Sequence, residues 1–194
     1  MSVIVFGNGV RELAMVRSLF GDKRKPTVYC YGPSKNPGIL DLIGEDNVFI
    51  GNYDEFNTIR RIVSEKGITC GIVGPELPLS IGLVDNLRDY MYMIGPTKSL
   101  AKIESSKRWA RNFIRGIGLE MYNPDFIRVS PDISNGVEIC FNFMKLYDGK
   151  VAIKLDGLEG GKGVSVWGRD FKDMEQGMKI CKSYIENNRK YLLE

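Results

Sequence analysis

Over the first 95 residues, short apolar runs alternate with segments whose apolar residues recur at helical spacing. The runs are Val3 to Phe6, Thr27 to Tyr31, Val48 to Ile50, Ile68 to Val73 and Met91 to Ile94. Between them, Val10 to Phe20 reads as a helix with Val10, Leu13, Ala14 and Leu19 on its packing side. A second helix, capped by Asn52 or Asp54, runs to Lys66 with Phe56, Ile59, Ile62 and Val63 inward and Gly67 as its stop. Ser80 to Tyr90 reads as a third. The stretches Gly32 to Gly38 and Gly74 to Leu79 are rich in Gly and Pro and read as loops, the second held stiff by two prolines. Ile68 to Val73 is almost continuously apolar, as a parallel strand buried on both faces requires. Strands and helices alternating at this spacing predict an α/β fold, with a doubly wound parallel sheet.

The pattern then changes. Ser99 to Gly116 has the spacing of one amphipathic helix, with Ile103, Trp109, Phe113 and Ile114 as packing residues; Gly116 and Gly118 end it. From Tyr122 onward the chain reads as strand (Phe126 to Val129), helix (Asn135 to Tyr147), a strand–glycine loop–strand unit (Lys150 to Trp167), helix (Asp170 to Asn187) and strand (Lys190 to Glu194). Phe171, Met174, Met178, Cys181 and Ile185 form the apolar stripe of the last helix. This predicts a small α+β unit with an antiparallel sheet and two helices on one face. The expected division is a Rossmann-like substrate domain over 1–98, a linking helix over 99–121 and the α+β unit over 122–194.

Composition narrows the chemistry. The 194 residues are 43% hydrophobic and 26% charged, ordinary values for a globular protein. The net charge of +3 is slight and scattered, which argues against nucleic acid as a partner. No apolar run approaches the length of a membrane span, and the first residues lack the features of a secretory signal, so a cytoplasmic protein without a membrane partner is expected. Cys30, Cys70, Cys140 and Cys181 are dispersed, and buried free thiols are expected rather than disulfides or a metal site. The absence of histidine removes Ser-His-Asp and Cys-His catalysis and histidine-ligated zinc. Acid–base or metal chemistry is left to carboxylates, lysines and backbone groups.

The strongest candidate chemistry lies in Lys150 to Trp167, where Gly157, Gly160, Gly161 and Gly163 fall between two short strands. Glycine lets amides crowd around an anion, and Lys154 and Lys162 add cations. A Walker A loop would end in Gly-Lys-Ser or Gly-Lys-Thr and open a helix, whereas Lys162 is followed by Gly163 and a strand. The kinase glycine spacing also fails. What remains is a hairpin flap carrying two lysines, with a glycine-rich surface hairpin as the plain alternative. A second candidate is Gly7-Asn8-Gly9, at the start of the first helix. A dinucleotide fingerprint would place a third glycine where Glu12 stands, so NAD is not expected, and a simple phosphate ester or a purely structural turn remains. Glu76 follows a strand at the sheet edge where ligands bind in such folds, with a solvated carboxylate as the alternative. Lys107 lies mid-helix, where spacing alone gives it no role.

The order of these motifs resembles a known family. Gly7-Asn-Gly-Val-Arg-Glu-Leu-Ala14, Asn36-Pro-Gly38, Gly74-Pro-Glu-Leu-Pro-Leu79, Gly95-Pro96, Ser106-Lys107 and Ile153-Lys-Leu-Asp-Gly-Leu-Glu-Gly-Gly-Lys-Gly163 are similar to the phosphoribosylamine–glycine ligases, members of the ATP-grasp superfamily. The resemblance covers essentially the whole chain. It implies a pre-ATP-grasp domain followed by the small ATP-grasp subdomain, and a ligase of de novo purine biosynthesis. It further implies ATP, glycine and 5-phosphoribosylamine as substrates, with magnesium in the complete enzyme. Gly7, Asn8, Gly9 and Arg11 would surround the phosphoribosyl end, with Pro75 and Glu76 at the amine and glycine site. Lys107, Lys154, Asp156, Gly157, Gly160, Gly161, Lys162, Gly163 and Glu194 would bind ATP, with Lys154 and Lys162 catalytic.

Two positions depart from the family's usual first loop: Val10 stands in place of a glycine and Leu13 in place of a histidine. The family's magnesium ligands fall beyond the matched motifs. The resemblance therefore implies an N-terminal portion with half an ATP site, no metal cage and no activity alone. The alternatives are another ATP-grasp carboxylate–amine ligase of purine metabolism, against which the complete Gly74 to Leu79 motif weighs, and a noncatalytic module binding a nucleotide or sugar phosphate.

Overall fold

The computed structural model describes residues 1–194, which form two compact units, Met1–Ala101 and Lys102–Glu194. The first is a five-stranded parallel sheet of β1 (Ser2–Phe6), β2 (Thr27–Gly32), β3 (Val48–Ile50), β4 (Cys70–Val73) and β5 (Tyr92–Ile94), in the order β3-β2-β1-β4-β5. The central strand explains the uninterrupted apolar runs. Side chains alternate along β1, and Ile4 and Phe6 join a core with Tyr29, Tyr31, Ile59 and Leu83. Val5 faces a second core with Val16, Val28, Cys30 and Ile39. Both faces are covered, so neither can be polar.

The helices are α1 (Val10–Phe20), α2 (Pro37–Ile43), α3 (Phe56–Glu65), α4 (Glu76–Ile81) and α5 (Leu83–Leu87). Several differ from expectation. In α1 the buried residues are Glu12 and Val16, while Val10 is 84% exposed and Ala14 is also exposed. The helix is rolled so that Glu12 turns beneath the preceding loop, a position that periodicity of apolar residues cannot signal. The expected loop at 32–38 contains the start of α2, capped by the Asn36 side chain, which accepts from the Ile39 N–H at 3.3 Å, with Pro37 in the first turn. The expected stiff loop at 74–79 is instead the start of α4. Pro78 falls within its first turn, where a missing N–H costs no intrahelical bond. Gly82, with φ +92°, separates α4 from α5, so the expected helix from Ser80 is broken. The N-cap of α3 is Glu55, and its carboxylate accepts from the Asn52 N–H at 2.8 Å; neither Asn52 nor Asp54 caps the helix.

The second unit contains α6 (Lys102–Ser105), α7 (Lys107–Gly116), β6 (Ile127–Val129), α8 (Gly136–Leu146), β7 (Ala152–Leu155), β8 (Val164–Val166), α9 (Met174–Glu186) and β9 (Tyr191–Leu193). Its sheet is antiparallel, ordered β6-β9-β7-β8. Cys140, Phe143 and Met144 of α8 and Met178 and Cys181 of α9 pack with Ile153, Leu155, Tyr191 and Leu193 of the sheet. Lys154, between Ile153 and Leu155, therefore projects from the other face. The single helix expected over 99–116 is two helices. Ser106 leaves helical conformation and caps α7, its hydroxyl accepting from the Trp109 N–H at 3.2 Å. Of the expected packing residues, Ile103 and Phe113 are exposed, and only Ala110 of α7 is buried. Trp109 stacks on Phe113 at 5.0 Å between ring centroids. No helix is long and apolar enough to cross a membrane.

The central strand sets an expected stability effect. Ile4→Ala empties a completely buried position and should cost about 2–5 kcal/mol. Val10→Ala, at an exposed position of α1, should stay within about 0.5 kcal/mol. Urea unfolding of the two variants beside the parent measures both.

Candidate functional site

In the second unit, β7 and β8 form a hairpin with Lys154 paired opposite Val164, closed by the Leu155 N–H donating to the Gly163 carbonyl at 2.8 Å. The connecting loop turns through Gly157, Gly160 and Gly161, with φ of +104°, +56° and +79°, values that side chains resist. A Cβ at any of the three would meet nothing within 4 Å, so backbone conformation and not crowding requires glycine there. Gly163 differs: its Cβ would fall 2.6 Å from Glu159 atoms.

The hairpin base gathers charged side chains. Lys154 Nζ ion-pairs with Glu194 Oε2. Arg111, on α7, takes the same carboxylate in a fork, Nε to Oε1 at 2.9 Å and Nη2 to Oε2 at 3.2 Å. The Glu194 side chain is only 5% exposed. Lys107 Nζ donates to the Gly157 carbonyl at 3.0 Å, tying the first residue of α7 to the glycine loop. Asp156 accepts from Ser106 Oγ at 3.3 Å and from the Arg108 N–H at 3.3 Å, so its carboxylate is committed to the α7 N-terminus.

Of the residues singled out from sequence, Lys107, Lys154, Asp156, Gly157 and Glu194 are thus brought together. Lys107 opens α7 and does not lie mid-helix. Gly160, Gly161 and Lys162 stand exposed at the hairpin tip, so the two flap lysines occupy different places, one at the base and one at the end. Arg111 was missed. Its signal was its position four residues after Lys107, on the same helix face. A depression of about 810 Å³ in this unit, where Val137, Phe141, Met174 and Met178 lie beside Glu138, Glu175 and Lys182, shares no residue with the glycine loop.

In the first unit, strand order reverses direction at β1 and β4: the chain passes from β1 outward to β2 on one side and from β4 to β5 on the other. Ligands bind such sheets outside the carboxyl ends of strands at this switch point. The loops that follow β1 and β4 meet there. Gly7 has φ +124°, and a Cβ on it would lie 2.8 Å from Pro75 Cδ. Asn8 Nδ2 donates to the Ser34 carbonyl at 3.1 Å, and Asn36 Nδ2 donates to the Asn8 carbonyl at 3.0 Å. Arg11 Nη2 pairs with Glu76 Oε1 at 3.1 Å. Gly7, Asn8, Gly9, Arg11, Pro75 and Glu76 therefore form one patch.

Beneath that patch lies Glu12, 3% exposed, which accepts from the Gly9 N–H at 2.7 Å. A dinucleotide fingerprint would have a glycine at this position; here a buried carboxylate shapes the loop and takes one of its amides. Leu13 packs against the core cluster of α2 and β2.

Ionisation follows from these contacts. Glu76 is held below the usual carboxylate range by its own backbone N–H and by Arg11. Burial resists ionisation of Glu194, but the hydrogen bonds from Arg111 and Lys154 outweigh it and lower its pKa. Burial, reinforced by the charge of Glu12, pushes the Cys30 thiol up to about 12, which leaves it unreactive. The four cysteines are free. No three His, Cys, Asp or Glu side chains are grouped so as to hold a metal ion.

Comparison with known proteins adds to this geometry. Residues 1–104 match the family described as phosphoribosylglycinamide synthetase, N domain. The chain is 36% identical over 189 residues to the phosphoribosylamine–glycine ligase of Methanococcoides burtonii, covering 97% of this chain and 42% of that protein. The chain thus spans less than half the length of the curated relatives it matches. Among solved structures it is similar to phosphoribosylamine–glycine ligase from Thermotoga maritima, with a TM-score of 0.67, 23% identity, and coverage of 100% of this chain and 43% of the other. It is also similar in fold to N5-carboxyaminoimidazole synthase of Aspergillus clavatus, solved with ADP and 5-aminoimidazole ribonucleotide. There the TM-score is 0.66 at 12% identity, with coverage of 99% and 46%.

The Glu194 cluster sets a pH dependence. Its folded pKa lies below the ordinary value of 4.5, so its stabilisation is complete above that pH and is lost as pH falls through the folded value. Glu194→Gln should cost about 1–3 kcal/mol at neutral pH. Its deficit relative to the parent should shrink below about pH 4.5, as chemical denaturation across a pH series would read.

Proposed function

Because the chain belongs to the phosphoribosylglycinamide synthetase family, N domain, we propose that it contributes to a phosphoribosylamine–glycine ligase acting in purine biosynthesis. The reaction would join glycine to 5-phosphoribosylamine with conversion of ATP to ADP and phosphate. The observation that carries this reading is the convergence of Lys107 and Lys154 on the base of the glycine hairpin. Cations beside a glycine-rich set of main-chain amides suit a triphosphate, which has little use for general bases and much for charge stabilisation.

In this reading a glycine carboxylate oxygen attacks the γ-phosphorus and ADP leaves, giving an acyl phosphate. The ribosylamine nitrogen then attacks the acyl carbon and phosphate departs. Lys107 and Lys154 would screen the repulsion between the incoming carboxylate and the triphosphate. Lys162, at the exposed hairpin tip, would come down with Gly160, Gly161 and Gly163 over the phosphates and exclude water from the acyl phosphate. Asp156 would act indirectly, holding the α7 N-terminus and with it Lys107 against the loop. Glu194 would border the nucleotide base. In the first unit, Gly7, Asn8, Gly9 and Arg11 would receive the phosphoribosyl group, with Pro75 and Glu76 beside the amine. The residues of this chain gather no metal-ligating set, so magnesium enters no step assigned to them.

Lys154→Ala should weaken ATP binding by roughly tenfold or more, the loss of one charge-assisted contact. Lys150→Ala, just before β7, should leave it within about twofold. Isothermal titration with ATP compares them, and equal affinities for the two variants would sink the assignment. Arg11→Ala should likewise weaken ribose 5-phosphate binding while leaving ATP affinity unchanged, measured in the same way.

A further inference from the structure

We infer that Arg111 is a positioning residue of the nucleotide site: by holding Glu194, it keeps Lys154 releasable to a triphosphate. The inference rests on the ATP reading above and deepens it. Glu194 is nearly buried and ionised, with two cations on its two oxygens. Arg111 takes both oxygens in a planar fork, whereas Lys154 shares only Oε2. Such a fork fixes the carboxylate plane and satisfies it largely without the lysine.

The consequence concerns the exchange of partners. Two cations and one carboxylate leave the cluster a net charge of +1, and the surplus sits on Lys154. When a triphosphate arrives, Lys154 gives up one shared contact, and Glu194 stays paired with Arg111. Without Arg111, the Lys154–Glu194 pair is neutral. Freeing the lysine then strands a buried carboxylate, a change that is strongly unfavourable. Arg111 also has a fixed place to act from. It lies one helical turn after Lys107 on α7, and its carbonyl accepts from Asn123 Nδ2 at 2.9 Å.

The test uses the 194-residue chain and ATP as the probe, in four variants beside the parent. Arg111→Met should weaken ATP binding by roughly tenfold. Adding Glu194→Gln to Arg111→Met should restore most of that loss, because a neutral amide no longer captures Lys154. Arg111→Lys, which keeps the charge without the fork, should fall between, and it serves if the methionine variant folds poorly. Competitive acylation of lysines, read by mass spectrometry without nucleotide, supplies a second measure: Lys154 should react less in Arg111→Met than in the parent, and more in Glu194→Gln. A purely structural arginine predicts a double variant no better than Arg111→Met and unchanged Lys154 acylation, and either result overturns the inference. So does parent-like ATP binding by Arg111→Met when Lys154→Ala is impaired. Parent-like binding by Lys154→Ala overturns the triphosphate reading instead, and the acylation arm then decides by itself whether Arg111 governs Lys154.

Discussion

A carboxylate buried to the extent of Glu194 stays ionised only where cations compensate the water it has lost. In the second unit that requirement organises the whole hairpin base. Glu194 directly follows the strand β9, which lies between β6 and β7 in the sheet. Its partners come from the neighbouring strand, through Lys154, and from α7, through Arg111. One ionised group therefore ties a strand, a hairpin and a helix into a fixed arrangement. The glycine loop extends from this base. Its tip, at Gly160 to Lys162, is exposed, whereas its base is anchored by the contacts of Lys107 and Lys154.

The first unit meets a similar problem by a different route. Three loops leave the carboxyl ends of β1, β2 and β4; the Gly7 N–H still donates to the Tyr31 carbonyl at 2.9 Å and the Gly74 N–H to the Phe6 carbonyl at 3.0 Å, and beyond these the loops must be held by other groups. Asn8 and Asn36 bridge two of these loops, and Glu12 supports the first from below. Gly7 and Pro75 approach too closely to permit a side chain on the glycine. The patch is thus preformed by side chain to main-chain bonds within the unit. Arg11 and Glu76 form its exposed charged rim, an ion pair that a bound anion would have to reorganise.

The family relationship and the geometry bear on different questions. The match over residues 1–104 establishes kinship for the parallel-sheet unit. Structural similarity at 23% identity or less extends the fold over both units without assigning chemistry. The chemical reading rests on the cationic cluster of the second unit, which follows from contacts within it.

How much was legible in the chain depends on the range of the interaction involved. The parallel sheet, the antiparallel sheet and the hairpin could be read because alternation of apolar residues and the spacing of glycines are local consequences of strand geometry. The strand at 48–50 and helix α1 fell where the pattern placed them. The start of α2 was readable in principle, from Asn36 followed by Pro37, yet the surrounding glycines and prolines suggested a loop. The break at Ser106 follows from a serine hydroxyl choosing a cap over the helix interior, a choice that periodicity does not record. Other features lay beyond any local signal. Glu12 is buried because the distant loop at Gly74 closes over it together with its own preceding loop, and Arg111 meets Glu194 across 83 positions of sequence. The order of residues determined which segments become strand, helix or glycine turn, since those depend on near neighbours and solvent. Only the folded chain decided which charges share a carboxylate, because desolvation and pairing are set by groups that are remote in sequence and adjacent in space.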